Sequence, residues 1–451
     1  MFIKKTLSFL FTSSISFFSV YALDGTGSQN DPFQIGSVEE LYEFTELVKK
    51  DINACAVLTD DITINEIELD SVGNPTKDDY KEWIPIGNDS TAYNGTFDGA
   101  NHVIRGIYLI NTKLDYIGLF SHIDSLGVVE NLTIKDSYIK GGKFNGFICG
   151  HNEGTIKNCQ NYGKIAYAKD YSGGIVGLNE KDVLSCVNYG LIIAEGGICG
   201  MNNGTISECT NYGNVSTGNH YAGICGSQKD GIISKCINYG PIGFKSSSST
   251  YIAGICGDME NGTITNCLNA GLINQKHKYN AGICSDQKGG LISSCLSNQT
   301  DSIVYSGNKN IVNSVYLSYS YTNKNDQVYT VSDFQMKNGL ACLLLNGGKS
   351  DDTTIWGQTI GVDTLPVLGG KRVYPASTSC PGRVSNELGE DLPHEPNVYV
   401  CSYCSHSIDT FKIYSADDLY EFADVVKNQG IRQCPVTKAS SKKLFCSQSD
   451  L

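Results

Sequence analysis

A short pattern of apolar and polar residues recurs along the middle of the chain, and its segments lack a 3.6-residue helical periodicity. Each copy has a Gly-Ile-Cys-like core, a turn, a Thr-Ile-like strand segment leading to a second cysteine, and an Asn-Tyr-Gly-like turn. The copies open at Gly146, Gly173, Gly196, Ala222, Ala253 and Ala281. Self-similarity at a regular interval indicates a repeat architecture.

The second cysteine of each copy gives the length of the repeat. These cysteines lie 27, 23, 27, 31 and 28 residues apart, at Cys159, Cys186, Cys209, Cys236, Cys267 and Cys295. The interval is too short for a propeller blade and fits a coil of two or three short strands. We therefore predict an all-β fold, a parallel β-helix or β-solenoid, in which coils stack at about 4.8 Å and pair their backbones.

Stacking places equivalent residues in columns. The second cysteines form one column, and another contains Cys149, Val176, Cys199, Cys225, Cys256 and Cys284. Because Val176 occupies a cysteine position, we interpret these positions as small apolar core slots for reduced cysteines. Disulfides, which export favours, and a metal or catalytic site are the alternatives. The Ile and Cys of each core are adjacent, and we expect the flanking glycines to bend the chain so that both are buried.

Two polar columns are also predicted. Stacked amides would form a hydrogen-bond ladder at Asn161, Asn188, Asn211, Asn238 and Asn269. The candidates for a binding surface are Tyr162, Tyr189, Tyr212 and Tyr239. Exposed tyrosine rings can bind sugars, and a purely structural aromatic ladder is the alternative. Acidic residues, including Glu153, Glu180 and Asp258, are assigned to turns after the Gly-Ile-Cys core, where they solvate a loop edge or bind calcium or sugar.

A solenoid needs caps, because its end coils expose unpaired strand edges. Ser37 and Glu40 form a capping-box pattern before a helical stripe, which predicts a helix-containing N-terminal cap. A second such pattern at Ser332 and Gln335 predicts a helix through Leu345, and Trp356 is interpreted as a core plug, with a sugar platform as the alternative. The predicted regions are an N-terminal cap with the first coils at 23–145, the repeat solenoid at 146–300 and a C-terminal capping region at 301–376.

Residues 377–408 differ in character and predict a small Cys-rich module. Three cysteines and a histidine could hold a structural zinc ion, at Cys380, His394, Cys401 and Cys404. A disulfide or simple turn chemistry is the alternative. Residues 409–430 repeat the cap sequence at an offset of 378, and residues 409–451 are therefore predicted to be a truncated second cap and tail. We expect no other cofactor.

The N-terminal sequence and the net charge of the chain restrict its predicted cellular location and its binding partners. Lys4 and Lys5 precede an apolar run, and Val20-Tyr21-Ala22 has the form of a cleavage site, so residues 1–22 are predicted to be a signal peptide. An anchored helix is the alternative. We expect a secreted or cell-surface protein with no membrane span after cleavage. A net charge of −13 makes nucleic acid an improbable partner.

The cores GGIVG at Gly173 and GGICG at Gly196, each followed by a strand and an Asn-Tyr-Gly turn, resemble the GLUG-motif repeat proteins. That resemblance covers residues 25 to 375 and implies a bacterial secreted or surface protein, adhesin-like or related to immunoglobulin-A peptidases. The sequence has no HExxH motif for a metallopeptidase. We therefore expect an exported, non-catalytic solenoid that presents a binding surface to an extracellular glycan or protein. The alternative is a carbohydrate-active β-helix enzyme, a lyase or a hydrolase.

Overall fold

The computed structural model describes residues 23–216, 220–243, 251–274, 279–299, 302–307, 310–317 and 328–375, together with the short strands Val384–Ser385, Lys412–Ile413 and Val436–Thr437. The predicted all-β class and parallel solenoid are confirmed, because all the strand pairs between successive coils are parallel. The predicted signal peptide lies outside the described residues, and so do the Cys-rich module and the truncated second cap apart from the strands Val384–Ser385, Lys412–Ile413 and Val436–Thr437. No described helix is long and apolar enough to span a bilayer.

Three long sheets form the faces of the solenoid. The Ile sheet has a buried apolar residue at the centre of most of its strands, which are Phe33–Ile35, Ala56–Leu58, Thr96–Asp98, Val128–Glu130, Thr155–Lys157, Asp182–Leu184, Thr205–Ser207, Ile232–Ser234, Thr263–Thr265, Leu291–Ser293 and Ile311–Val312. The Asn sheet contains Ile62–Thr63, Val103–Arg105, Thr133–Lys135, Gln160–Asn161, Val187–Asn188, Thr210–Asn211, Ile237–Asn238, Leu268–Asn269, Leu296–Ser297, Ser314–Leu317 and Val328–Val331. The Cys sheet contains Phe120–Ile123, Cys149–Asn152, Val176–Asn179, Cys199–Asn202, Cys225–Gln228, Cys256–Met259, Cys284–Gln287 and Val304–Gly307.

Two shorter side sheets complete the coils. One contains Tyr108–Leu109, Tyr138–Lys140, Lys164–Tyr167 and Leu191–Ile192, and the other contains His220–Ala222, Tyr251–Ala253 and Tyr279–Ala281. A typical coil runs from the Cys sheet to the Ile sheet, then to the Asn sheet, and returns through a side sheet or a loop. Because each strand pairs with its counterpart in the coils above and below, the backbone polar groups are satisfied inside the stack.

Both cysteine columns lie in the core. Cys199 pairs in register with Val176 on one side and Cys225 on the other, and all three are fully buried. The thirteen described cysteines are free. The adjacent Ile198 is also fully buried, which confirms that the bend at the core sequence turns both side chains inward.

A backbone contact explains why the second column uses cysteine. The residue before each second cysteine adopts a left-handed conformation, as in Glu208 at φ 58° and Lys235 at φ 52°. The thiol of Cys209 lies 3.4 Å from the carbonyl oxygen of Ser207, on the other side of that corner, and every coil from Cys159 to Cys295 repeats this weak hydrogen bond. In the next coil Ser314 makes the same contact at 3.1 Å through its hydroxyl. Small donor side chains therefore share this contact in successive coils, whereas the coil before Cys159 places the buried Leu132 at the same position.

The N-terminal helix Val38–Val48 begins at the predicted capping box, where the Ser37 hydroxyl accepts from the backbone N–H of Glu40 at 3.3 Å. Its residues Leu41, Phe44 and Val48 are buried against the first coils. After the helix the chain forms two short strands, Ala56–Leu58 and Ile62–Thr63, because it turns there from the Ile sheet to the Asn sheet.

The C-terminal cap differs from its prediction. The single helix expected through Leu345 is two helices, Asp333–Lys337 and Leu340–Leu345, because Gly339 adopts a left-handed conformation between them. The cap packs against Leu268 and Leu296 of the Asn sheet. It therefore covers the flank of the last coils as well as following them. A small antiparallel pair, Trp356–Gly357 with Val367–Leu368, completes this region, and Tyr374–Pro375 pairs with Val384–Ser385.

Candidate functional site

The predicted tyrosine column is a continuous surface ribbon beside the Asn sheet. Successive rings stack at centroid distances of 4.5, 5.1 and 5.1 Å, with interplanar angles of 10°, 5° and 13°, and the residues are 41–47% exposed. We call Tyr162, Tyr189, Tyr212 and Tyr239 the tyrosine ribbon. The register of the Asn sheet produces it, because each tyrosine follows a ladder asparagine by one residue.

The stacking determines which parts of the ribbon a ligand can reach. The two faces of an inner ring lie against its neighbours, so Tyr189 and Tyr212 present ring edges and phenol hydroxyls to solvent. At one end the ammonium group of Lys135 lies 4.8 Å from the Tyr162 ring centroid, a cation–π contact. At the other end the column continues with Ala270. The faces of the inner rings are therefore covered, and a ligand could reach these rings only at their edges and hydroxyl groups.

A buried amide ladder holds the ribbon in register. The side-chain N–H of Asn188 donates to the side-chain oxygen of Asn211 at 2.8 Å, and Asn211 donates to Asn238 at 2.9 Å. Asn161 and Asn269 extend the ladder at its two ends. These asparagines are fully buried, so the predicted ladder is confirmed and anchors each tyrosine from one residue away.

Sequence reasoning missed a second amide ladder, on the Cys sheet. Asn152 donates to Asn179 at 2.8 Å, Asn179 to Asn202 at 2.8 Å, and Asn202 to Gln228 at 3.3 Å. All four are fully buried. An amide residue lies three positions after five of the six core Cys or Val residues, the exception being Met259 after Cys256, and this pattern was the signal available in the sequence.

The cysteines of both columns are fully buried, which shields their thiols from reagents in solvent. Burial raises the pKa of the Cys225, Cys256 and Cys267 thiols well above the ordinary value, which favours the unreactive protonated form. Trp356 is likewise 1% exposed, and its indole N–H donates to the carbonyl oxygen of Ser294 at 2.9 Å. It plugs the core, as predicted, and offers no sugar platform.

A groove along the outer face of the Cys sheet was not predicted. Its cavity has a volume of about 590 Å³, and its lining includes Glu195, Met201, His220, Asp258 and Lys288. Asp258 was assigned to an exposed turn, but it lies inside the strand Cys256–Met259 and is 6% exposed. The Lys288 ammonium pairs with its carboxylate at 2.8 Å. Side chains beside the groove stack as well, with centroid distances of 4.9 Å from His220 to Tyr251 and from Tyr251 to Tyr279.

Glu195 is a buried carboxyl group in this groove. It is 8% exposed, and one carboxylate oxygen accepts from the backbone N–H of Ser172 at 3.1 Å. Burial raises the pKa of Glu195 to about 7. A carboxyl group with this pKa can donate or accept a proton near neutral pH.

Two histidines stack farther along the same sheet. His122 and His151 are register partners with ring centroids 4.2 Å apart, and the Glu153 carboxylate lies beside both. Burial lowers the pKa of His151, which favours the neutral ring. Glu153 follows the strand Cys149–Asn152 in the turn predicted for it, but its position beside the two histidines was not predicted. The predicted metal set of Cys380, His394, Cys401 and Cys404 lies outside the described residues and stays a prediction.

No family model matches the chain. It is 26% identical to Halomucin of Haloquadratum walsbyi over 144 residues, which are 31% of this chain and 2% of Halomucin. It is 34% identical over 79 residues, 17% of this chain and 9% of the other, to a protein of Evansella cellulosilytica whose name describes it as a Gly-rich membrane protein. The chain thus spans under a tenth of the length of either relative.

Two solved structures resemble the fold. One, assigned as an immunoglobulin A1 protease of Bacteroides ovatus, has a TM-score of 0.40 at 16% identity, covering 76% of this chain and 94% of the other. Another, an IgA1 protease, has a TM-score of 0.35 at 17% identity, covering 66% of this chain and 21% of the other. Likenesses at this level carry no information about activity.

Proposed function

We propose that this chain is an exported, GLUG-type β-solenoid that binds an extracellular glycan or protein without catalysing a reaction. The observation that carries the proposal is the tyrosine ribbon, a row of large aromatic side chains left 41–47% exposed on a rigid support. A secreted or cell-surface location belongs to the same proposal. The membrane wording in the name of the Evansella relative accords with it.

The chemistry of the ribbon suggests how it would bind. Tyrosine contributes a large amphipathic contact area at low conformational-entropy cost, and stacking already restricts these rings. With the inner faces covered, recognition would use ring edges and the row of hydroxyl groups, spaced by one coil. Such a row matches a ligand with regularly repeated polar groups, for example an extended polysaccharide or a strand at a protein surface.

The decisive experiment distinguishes the contribution of the tyrosine hydroxyl groups to binding from that of the stacked rings. Changing Tyr189 and Tyr212 together to phenylalanine removes two hydroxyls and keeps the stacked rings. Binding would be screened on a glycan array and on immobilised extracellular proteins, with Tyr305→Phe as the control at another exposed site. We expect the double variant to lose at least about tenfold in affinity, since each buried hydrogen bond contributes about 1 kcal/mol. Unchanged binding to every ligand found would show that the ribbon is a structural ladder only.

The groove supports the alternative of a carbohydrate-active enzyme. Glu195, with its pKa of about 7, and the nearby groove residue Asp258 supply the two carboxyl groups that glycoside hydrolysis uses. A polysaccharide degradation screen with the wild-type chain and Glu195→Gln tests this alternative. If the wild-type chain degrades a polysaccharide and Glu195→Gln does not, the non-catalytic proposal is overturned, whether or not the tyrosine ribbon binds a ligand.

A further inference from the structure

The histidine pair on the Cys sheet has unusual polar surroundings. His122 lies in the strand Phe120–Ile123 and is 9% exposed, and neither of its ring nitrogens has a hydrogen-bond partner. The Nε2 atom of His151 is also buried without one. Burying a polar atom unsatisfied costs about 1–3 kcal/mol, and native proteins seldom leave several such atoms together. These nitrogens therefore point to a missing partner.

The neighbouring carboxylate shows where that partner would lie. One oxygen of Glu153 is 3.4 Å from His122 Nε2, and the other is 3.9 Å from His151 Nε2. One ligand atom from each of the three residues fits within a mutual distance of 4.8 Å. Ligands of a tetrahedral Zn²⁺ ion, with bonds of about 2.0–2.1 Å, are separated by roughly 3.3 Å. Small side-chain rotations would bring the three atoms to that spacing.

A second carboxylate is placed to orient His122. One Asp89 oxygen lies 3.6 Å from His122 Nδ1, the nitrogen on the opposite side of the ring from Glu153. The Asp89 side chain is 82% exposed, so a small movement would complete the hydrogen bond. Metal-binding histidines usually donate their other N–H to such a group, which fixes the tautomer and the ring orientation.

We propose that His122, His151 and Glu153 form a binding site for a divalent transition-metal ion, of which Zn²⁺ fits best. Two imidazoles and a carboxylate are ligands that this ion accepts, and Ca²⁺ or Mg²⁺ would select an oxygen-only set. Three protein ligands leave a fourth position for water or for an outside donor group. The site is independent of the tyrosine ribbon and of the C-terminal cysteines.

The sequence supplies two well-matched variants. His151→Leu introduces the residue that occupies the same column in the next coil, Leu178, so the fold should tolerate it. Glu153→Gln removes the charge from a side chain that is 43% exposed. Glu180→Gln is the control, because Glu180 occupies the equivalent turn position one coil along. All arms carry Cys380→Ser, Cys401→Ser and Cys404→Ser, so the C-terminal set cannot contribute.

Calorimetric titration of the full chain with Zn²⁺ measures the stoichiometry and the affinity, and Co²⁺ spectra report tetrahedral coordination. We expect one saturable equivalent, its loss in His151→Leu, and at least about tenfold weaker binding in Glu153→Gln. Glu180→Gln should bind as the parent does. The proposal is overturned if the parent has no saturable equivalent, or if the two glutamate variants weaken binding equally. If His151→Leu fails to fold, Glu153→Gln decides.

Discussion

The buried carboxyl group of Glu195 makes the stability of the solenoid depend on pH. Its pKa is about 7 in the folded chain, whereas the ordinary value is 4.5. Between these pH values the native state keeps a proton that the unfolded state has released. The free energy of unfolding therefore falls as the pH rises from 4.5 to 7, and the full contribution is present only below pH 4.5.

The size of the effect follows from the shift. One pKa unit corresponds to 1.36 kcal/mol, so this group alone should lower the free energy of unfolding by about 3 kcal/mol across that interval. Glu195→Gln removes the titration, and the glutamine oxygen can still accept from the Ser172 N–H. The free energy of unfolding of the variant, relative to that of the wild type, should therefore rise by about 3 kcal/mol between pH 4.5 and pH 8.

Urea unfolding at closely spaced pH values, followed by both circular dichroism and tyrosine fluorescence, measures this difference. Coincident transitions are required, because long repeat arrays can unfold in parts. Glu180→Gln, at an exposed turn, controls for the removal of one negative charge. Any constant effect of the substitution cancels, since the test concerns the change with pH. A wild-type-minus-variant difference that stays flat from pH 4.5 to 8 would refute the reasoning.

Three further predictions concern the core, each measured by thermal and urea unfolding. Cys199→Val should cost less than about 1.5 kcal/mol, because the register partner Val176 already fills that column; a larger loss would show that the hydrogen bond from the Cys199 thiol to the carbonyl oxygen of Met201, at 3.0 Å, matters more than volume. Asn211→Ala should cost about 2–4 kcal/mol by interrupting the amide ladder, and a loss below 1 kcal/mol would contradict the ladder's role. Trp356→Ala should cost about 3–5 kcal/mol and expose the flank of the last coils, whereas wild-type stability would contradict its role as a plug.

The repeat was readable from the sequence because stacking imposes one residue type on each column. Val176 in a cysteine column correctly predicted a buried apolar slot, and the asparagine before each tyrosine correctly predicted the amide ladder. Such columns depend only on register, which the repeat itself specifies. The N-terminal helix was predictable for a local reason, the capping box at Ser37.

The groove and the histidine pair could not be predicted from the sequence in the same way. His122 and His151 are 29 positions apart and belong to a column that continues with Leu178 and Met201, so no repeated letter marks them. Glu195 acquires its raised pKa from burial in the folded chain, which no repeated residue type marks in the sequence. The spacing and angles of the rings in the tyrosine ribbon are not specified by the repeat alone, and they cover the inner ring faces on which a sugar could otherwise stack.

The pairing of each strand with its counterpart one coil away has a consequence for how the chain folds. Successive second cysteines are 23 to 31 residues apart, so each coil completes its contacts with a partner that is close in sequence. The entropic cost of closing a loop rises only with the logarithm of its length, so intervals that differ by a few residues cost nearly the same to close. The helix Val38–Val48 covers the end of the first coil with its buried apolar face. Growth can therefore proceed from that end, with every new coil using the preceding one as its template while the rest of the chain is still being made.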